Sequence, residues 1–333
     1  MLSGKHQITT IGSAVMDIMF KTREGLLIDN PKDLTRRKLL AFEYGAKLVS
    51  TAVSVNLGGS ALNTAATFAS LKLKPSVLSS IGDDAFGRDI LAYLRQRHIG
   101  SQLLQIDKKR RTAFSVIIGN NSFTDHVIFY YPAARESLTL TPGVLSKIRS
   151  PWLFLGSISG SSWQSNLQNL FSFVGRKNLK LAWNPGSDEL KAGHAKLKRY
   201  FHLTEVLQVN SDEAVQLLLS AGDKVKTVEP KLLIKKLHSF GQALTVITHG
   251  GRGAYVYNGK KLLYKSALKE KVVADTTGAG DAFGSGLVSG LLLFKGNLSR
   301  ALALGILNSG LVVSQVGAQN GIVTPSQVRR FNI

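Results

Sequence analysis

The chain contains no cysteine. Disulfides, thiolate nucleophiles and thiolate metal ligands are therefore excluded, and a reducing, cytoplasmic location is the natural expectation. Acidic residues are scarce, 21 against 42 Lys and Arg, which leaves a formal net charge of +21. No Asp or Glu follows Asp281. Aromatic residues make up 8% of the chain and none interleaves the basic runs KDLTRRK (32–38), KKRR (108–111), HAKLKR (194–199) and KVK (224–226). A stacking platform for nucleic acid is therefore missing, and nucleic acid is not expected as a main partner. Long apolar runs are also missing. The stretches 291–294 and 302–313 are too short, or too interrupted by Asn308 and Ser309, to span a bilayer. Asp17 arrives before any long apolar region, so neither a signal peptide nor a membrane partner is expected.

Hydrophobic residues form 44% of 333 positions, ample for one large α/β domain over residues 1–333. Apolar, β-rich runs alternate with helical ones. HQITTIGSAVMDI (6–18) reads as a first strand with Asp17 at its end. SALNTAATFASLKL reads as a helix and PSVLSSIG as a strand; FGRDILAYLRQRHIG reads as a helix stopped by Gly100. TAFSVIIG and HVIFYY, separated by the turn-rich GNNSFTD, predict a hairpin. Four further short runs, around residues 152, 181, 207 and 246, end in Gly, Asn, Pro or Ser and neighbour helical segments. This alternation predicts a mainly parallel sheet sandwiched by helices, with ligands beyond the carboxyl ends of its strands.

The most informative stretch is KVVADTTGAGDAFGSGLVSGLL, 271–292. An extended run, KVVAD, gives way to three small residues, one carboxylate and an apolar helix. Bare backbone at a helix start favours an anion. An aspartate there competes with that anion unless it faces a second substrate and takes its proton. Asp281 is therefore either a helix cap or a proton acceptor. Other glycine loops do not fit. Gly284 falls one place late for a dinucleotide fingerprint, and no acid follows it. A Walker loop, a G-x-S-x-G elbow and H-E-x-x-H are all absent.

DTTGAGDAFGSGLV (275–288) resembles the C-terminal signature of the ribokinase-like (PfkB) carbohydrate kinases. NLGGSALNTAATFASLKLKPSVLSSIGDDAFG (56–87) is similar to the family's glycine-pair signature. NSDE (210–213), TVITHGGRGAYVY (245–257) and Gly317, Ala318 and Gln319 follow its remaining blocks in order. The resemblance extends over residues 8–325 and implies a ribokinase-like fold with a small β lid, built from approximately 18–57 and 111–132. It implies an ATP- and Mg²⁺-dependent phosphotransferase acting on a hydroxyl of a sugar or sugar derivative. Two alternatives stay open: a nucleoside kinase, and a non-catalytic relative associated with nucleic acid.

The resemblance also implies residue roles. Asp281 would be the catalytic base, and the amides of Gly278, Ala279 and Gly280 would hold the developing phosphoryl charge. Asn210 and Glu213 would place Mg²⁺, partly through water, and the ATP phosphates, unless they only cap a helix. Asn184 would face the same phosphates; Thr248, Gly250 and Gly253 would face the nucleotide, and Asn308 the adenine pocket. Asn308 reads equally as a polar residue tolerated in the core. Asp17, Gly58, Gly59 and Asn63 match the acceptor side. Asp275 and Thr277 fall where some members bind a monovalent cation such as K⁺. Lid strands in such proteins often pair between subunits, so a homodimer is a further expectation. Ser60 replaces the lysine usual in ribokinases, and GGSALNT is similar to nucleoside kinases. The KKRR run beside the hairpin could attract a phosphorylated sugar.

Overall fold

The computed structural model describes residues 6–30, 38–120, 126–225, 227–268 and 273–333. Its large sheet has eight strands, running edge to edge Leu262–Lys265, Ala254–Tyr257, Leu244–Thr248, Val206–Asn210, Lys180–Trp183, Trp152–Leu155, Ile8–Ile11 and Pro75–Leu78. From Leu244–Thr248 to Pro75–Leu78 every pairing is parallel; the other two strands are antiparallel. Alternate residues enter opposite cores. Leu153, Leu155, Leu181 and Trp183 pack with the helices Trp163–Lys177 and His194–Phe201. Trp152, Phe154 and Ala182 pack with Ala279–Leu293 and Leu298–Val313. Apolar faces on both sides are what a parallel sheet between two helical layers requires.

The order of the sheet reverses at Ile8–Ile11. The next strand of the sheet along the chain, Pro75–Leu78, lies on one side, and Trp152–Leu155 on the other. A crevice opens beyond the carboxyl ends at such a point. Over it lies a second, four-stranded sheet in the order His126–Tyr131, Phe114–Asn120, Val15–Thr22, Ala52–Gly58. The expected hairpin is there, antiparallel with Phe129 opposite Val116; residues 121–125 of its turn lie outside the described residues. Leu26–Asp29 and Lys38–Ala41 form a separate two-stranded ladder, and most of the basic run 32–38 lies outside the described residues.

Four local readings change. Residues 6–18 are not one strand: the chain leaves the large sheet after Ile11 and enters the small one at Val15, so Asp17 lies near the start of a different strand. PSVLSSIG divides at Ser79 into strands Pro75–Leu78 and Ser80–Gly82, and the second pairs with Gln105–Asp107. The helix Ala85–Gln96 ends before Gly100, and His98 takes the left-handed turn with φ 55°. Residues 273–275 of the expected extended run form no strand, and 271 and 272 lie outside the described residues. Among the described residues no helix is long and apolar enough to cross a membrane.

Candidate active site

The helix Ala279–Leu293 starts in the crevice. Gly278 caps it with φ 74°, a conformation that favours glycine, and a Cβ there would overlap Ala318. The first helical bond runs from the Ala282 N–H to the Gly278 carbonyl at 2.8 Å. The Ala279 N–H turns back to the Thr276 carbonyl at 3.2 Å. The amides of Gly280 and Asp281 thus point off the helix end, where the macrodipole adds positive potential. Ala279, expected among the charge-holding amides, donates within its own turn instead. Gln208 Nε2, on Val206–Asn210, donates to the Gly280 carbonyl at 2.9 Å and fastens this end to the sheet.

Asp281 lies half-buried on the first turn. Its Oδ2 accepts a hydrogen bond from Asn63 Nδ2 at 2.8 Å, and Asn63 Oδ1 accepts one from Gln319 Nε2 at 3.0 Å. Burial pushes the Asp281 carboxyl up to about 6, against the lowering effect of Asn63. Asp281 caps nothing: Gly278 holds the cap position. Its carboxylate is instead paired across the crevice with the helix Ser60–Ser70.

The acceptor-side residues gather at the mouth of that helix. Gly59, its cap, has φ 94°, and Asn63 N–H donates to the Gly59 carbonyl at 2.9 Å. Asp17 lies on Val15–Thr22 opposite Asn56. A Cβ at Gly58 would overlap the Asp17 carboxylate, so this glycine makes room for it. Burial, first, and the neighbouring Asp275 raise the Asp17 pKa; a hydrogen bond with Ser115 opposes them. Ser60, and three residues missed in the sequence, Gly12, Ser13 and Gly156, complete this floor. Ser60 packs so closely on Gly12 and Gly156 that neither could carry a Cβ. Ser13 Oγ accepts from the Ser60 N–H at 3.0 Å. The detectable signal was the small-residue endings IGS and LGS after two apolar runs.

The nucleotide-side residues divide. Asn184 Nδ2 donates to the Gln208 carbonyl at 3.0 Å, next to the strand that holds Gly280. Asn210 and Glu213 form a capping box: Asn210 Oδ1 accepts from the Glu213 N–H at 2.9 Å, and Glu213 Oε2 from the Asn210 N–H at 2.8 Å. Burial, first, and Asp212 raise the Glu213 pKa. Among the described residues no three metal-ligating side chains cluster. Thr248 ends its strand, with Gly250 beyond it in open space. At Gly253 a Cβ would overlap the Lys265 carbonyl, so glycine there lets the edge strands approach. Asn308 is a correction. It is fully buried, its Nδ2 donates to the Ala282 carbonyl at 2.7 Å and to Thr67 at 3.1 Å, and its Oδ1 accepts from the Val323 N–H at 2.9 Å. With both ends of its amide engaged in the core, it ties four segments together. Asp275 Oδ1 accepts from the Thr277 N–H at 2.9 Å and Oδ2 from the Gly317 N–H at 3.0 Å.

A helix start with amides turned into the crevice, a carboxylate of raised pKa beside it and a second, four-stranded sheet are the features to set against known proteins, and they fit a ribokinase-fold phosphotransferase. The family model for pfkB family carbohydrate kinases matches residues 32–325, and the chain belongs to that family. An ATP-dependent 6-phosphofructokinase of Thermoanaerobacterium thermosaccharolyticum is 27% identical over 295 residues, 84% of this chain and 86% of that protein. A ribokinase structure of Arabidopsis thaliana, complexed with ribose and ATP, aligns with a TM-score of 0.79 at 17% identity over 98% of both chains. A Burkholderia thailandensis nucleoside kinase in complex with inosine aligns at 0.77 and 18% identity, over 98% of this chain and 97% of that one. At these identities the two structures show the fold alone. The protein is a carbohydrate kinase, and the reading as a non-catalytic nucleic-acid-associated relative is not favoured.

Proposed function

We propose that the protein transfers the γ-phosphoryl group of ATP to a hydroxyl of a sugar or sugar derivative, with Asp281 as base. The observation that carries this is the pairing of Asp281 with Asn63 beside the open amides of Gly280 and Asp281. The acceptor hydroxyl gives its proton to the Asp281 carboxylate as its oxygen bonds to the γ-phosphorus. The bond from that phosphorus to the bridging oxygen breaks, and ADP leaves. The amides stabilise charge on the transferring group, and the positive end of the helix adds to them. A pKa of about 6 keeps Asp281 ionised at neutral pH yet basic enough to help. Asn63, held by Gln319, orients it. Asp17 and the backbone at Gly58 and Gly59 bind the acceptor, and Asn184, Thr248 and Gly250 border the nucleotide.

The residues fit a Mg²⁺ held mainly by water and phosphate oxygens, since Asn210 and Glu213 already share two bonds with each other. When bound, Mg²⁺ neutralises charge on the phosphates. Asp275 and Thr277 are the monovalent-cation candidates. The amides of Thr277 and Gly317 hold the Asp275 carboxylate in place. Unchanged activity when K⁺ is replaced by tetramethylammonium counts against that role. We take the whole chain as one kinase domain whose four-stranded sheet serves as the lid. Val53, Val55, Val127 and Phe129 lie on one face of this sheet and are exposed and apolar, which supports lid-to-lid pairing in a homodimer. The cysteine-free composition supports a cytoplasmic location.

The test is ADP release with ATP, Mg²⁺ and K⁺ over a panel of sugars, sugar phosphates and nucleosides, with Asp281→Asn alongside. Turnover with one acceptor class, lost in the variant, is expected. Nucleoside-only turnover moves the assignment to a nucleoside kinase. Equal turnover by the variant removes Asp281 from the chemistry.

A further inference from the structure

Arg135 stands on the 3₁₀ turn Ala133–Ser137, directly after the lid strand His126–Tyr131. Its Nη1 donates to the Tyr130 hydroxyl at 2.8 Å, and its guanidinium lies 5.6 Å from the centre of that ring. Its Nη2 donates to Ser157 Oγ at 2.8 Å. Ser157 lies two residues past Trp152–Leu155, and its carbonyl flanks Gly12 at the end of Ile8–Ile11. Arg135 therefore spans from the lid to the central crevice, beside the floor made by Gly12, Ser13 and Ser60.

Both partners of Arg135 are neutral hydroxyls. Among the described residues no carboxylate lies within ion-pairing distance of it. The acid that feels its charge is Glu189, fully buried, which burial pushes up to about 8 and so holds protonated at neutral pH. Among the described residues, Arg135 Nε is buried with no hydrogen-bond partner, as is Ser159 Oγ on the loop it contacts. A half-buried guanidinium with no carboxylate of the described residues in ion-pairing distance, and with an idle donor, favours an anion that completes it. The Lys108–Arg111 run does not answer this need: it lines a separate cleft with Asp83 and Asp84, and Arg110 lies 3.6 Å from Glu136.

We infer that the acceptor carries an anionic group, a carboxylate or a phosphate ester, and that Arg135 binds it and sets acceptor specificity. This rests on the sugar-kinase reading above and narrows it. A planar guanidinium suits either anion through two parallel N–H bonds, and Lys is a poor replacement for that geometry.

The experiment compares kcat/KM on a neutral hexose, its terminal phosphate and the corresponding hexonic acid, for the wild type, Arg135→Gln and Arg135→Lys. The wild type should prefer one anionic acceptor over the neutral parent on the order of 100-fold. Arg135→Gln should lose that preference through a raised KM, and Arg135→Lys should recover only part of it. ATP binding by each variant reports that it is folded. If neither variant folds, the wild-type preference alone decides. A wild type that prefers the neutral hexose overturns the inference, as does an Arg135→Gln that lowers all three acceptors alike, the mark of a lid latch. In either case the kinase reading survives. If no acceptor of any charge gives turnover while ATP binds, the kinase reading fails first and the inference falls with it.

Discussion

The two main sheets of this molecule carry apolar residues in opposite ways. In the large sheet Trp152, Leu153, Phe154 and Leu155 are all buried, alternate residues entering opposite cores. In the small sheet Val53 is 55% exposed, Val55 58% and Phe129 61%. The first sheet fixes the phosphate-transfer end, because Gln208 fastens the Gly280 turn to a strand packed on both faces. The second presents Asp17 and, through the turn that follows its hairpin, Arg135. On the proposed function, the chemistry sits on the rigid sheet and acceptor recognition on the other. Elements with few buried contacts open at lower free energy than the core.

The largest effect expected is at Asp281: replacement by Asn should lower kcat on the order of 10³-fold while ATP still binds, read by steady-state kinetics and calorimetry. Next is Asn308→Ala, which strips three hydrogen bonds from the core. It should destabilise the fold by about 2–4 kcal/mol in urea titration, with the KM for ATP unchanged in the folded fraction. A large rise in that KM would return Asn308 to the nucleotide pocket. Phe129→Lys should dissociate the lid-paired dimer in sedimentation while leaving thermal stability nearly intact; a wild type that sediments as a monomer removes the dimer. The smallest effect is Glu189→Gln. The folded-state pKa of Glu189, about 8, exceeds its ordinary value of 4.5. The stability linked to its protonation is full below about 4.5 and lost as pH rises through 8. The variant should therefore gain on the wild type in melting temperature between these limits and level off above pH 8.

Much of this was legible in the chain, for physical reasons. The strand ends around residues 155, 183, 210 and 248 were readable because continuous apolar runs stop at small or polar residues there. The start of the Ala279–Leu293 helix was readable because Gly278 needs a left-handed turn that few other residues adopt. The break between Ile11 and Val15 was marked only by Gly12 and Ser13, between two apolar pieces that join different sheets. Asn308 was ambiguous because a polar residue in an apolar helix looks the same whether it faces a ligand or a core carbonyl. Arg135 was missed because an arginine after a strand carries no local signal. Its meaning lies in Ser157, 22 positions away in sequence, and in a carboxyl that burial neutralises.

The most direct test of the central claim is the pH dependence of kcat/KM on the best acceptor, for the wild type and Asn63→Ala. Asp281 must be ionised to take a proton, so the wild-type rate should fall as pH drops through about 6. Asn63→Ala removes the hydrogen bond that lowers this pKa, so its acid limb should move to higher pH. A profile flat down to pH 5, or the same acid limb in both proteins, contradicts Asp281 as the base.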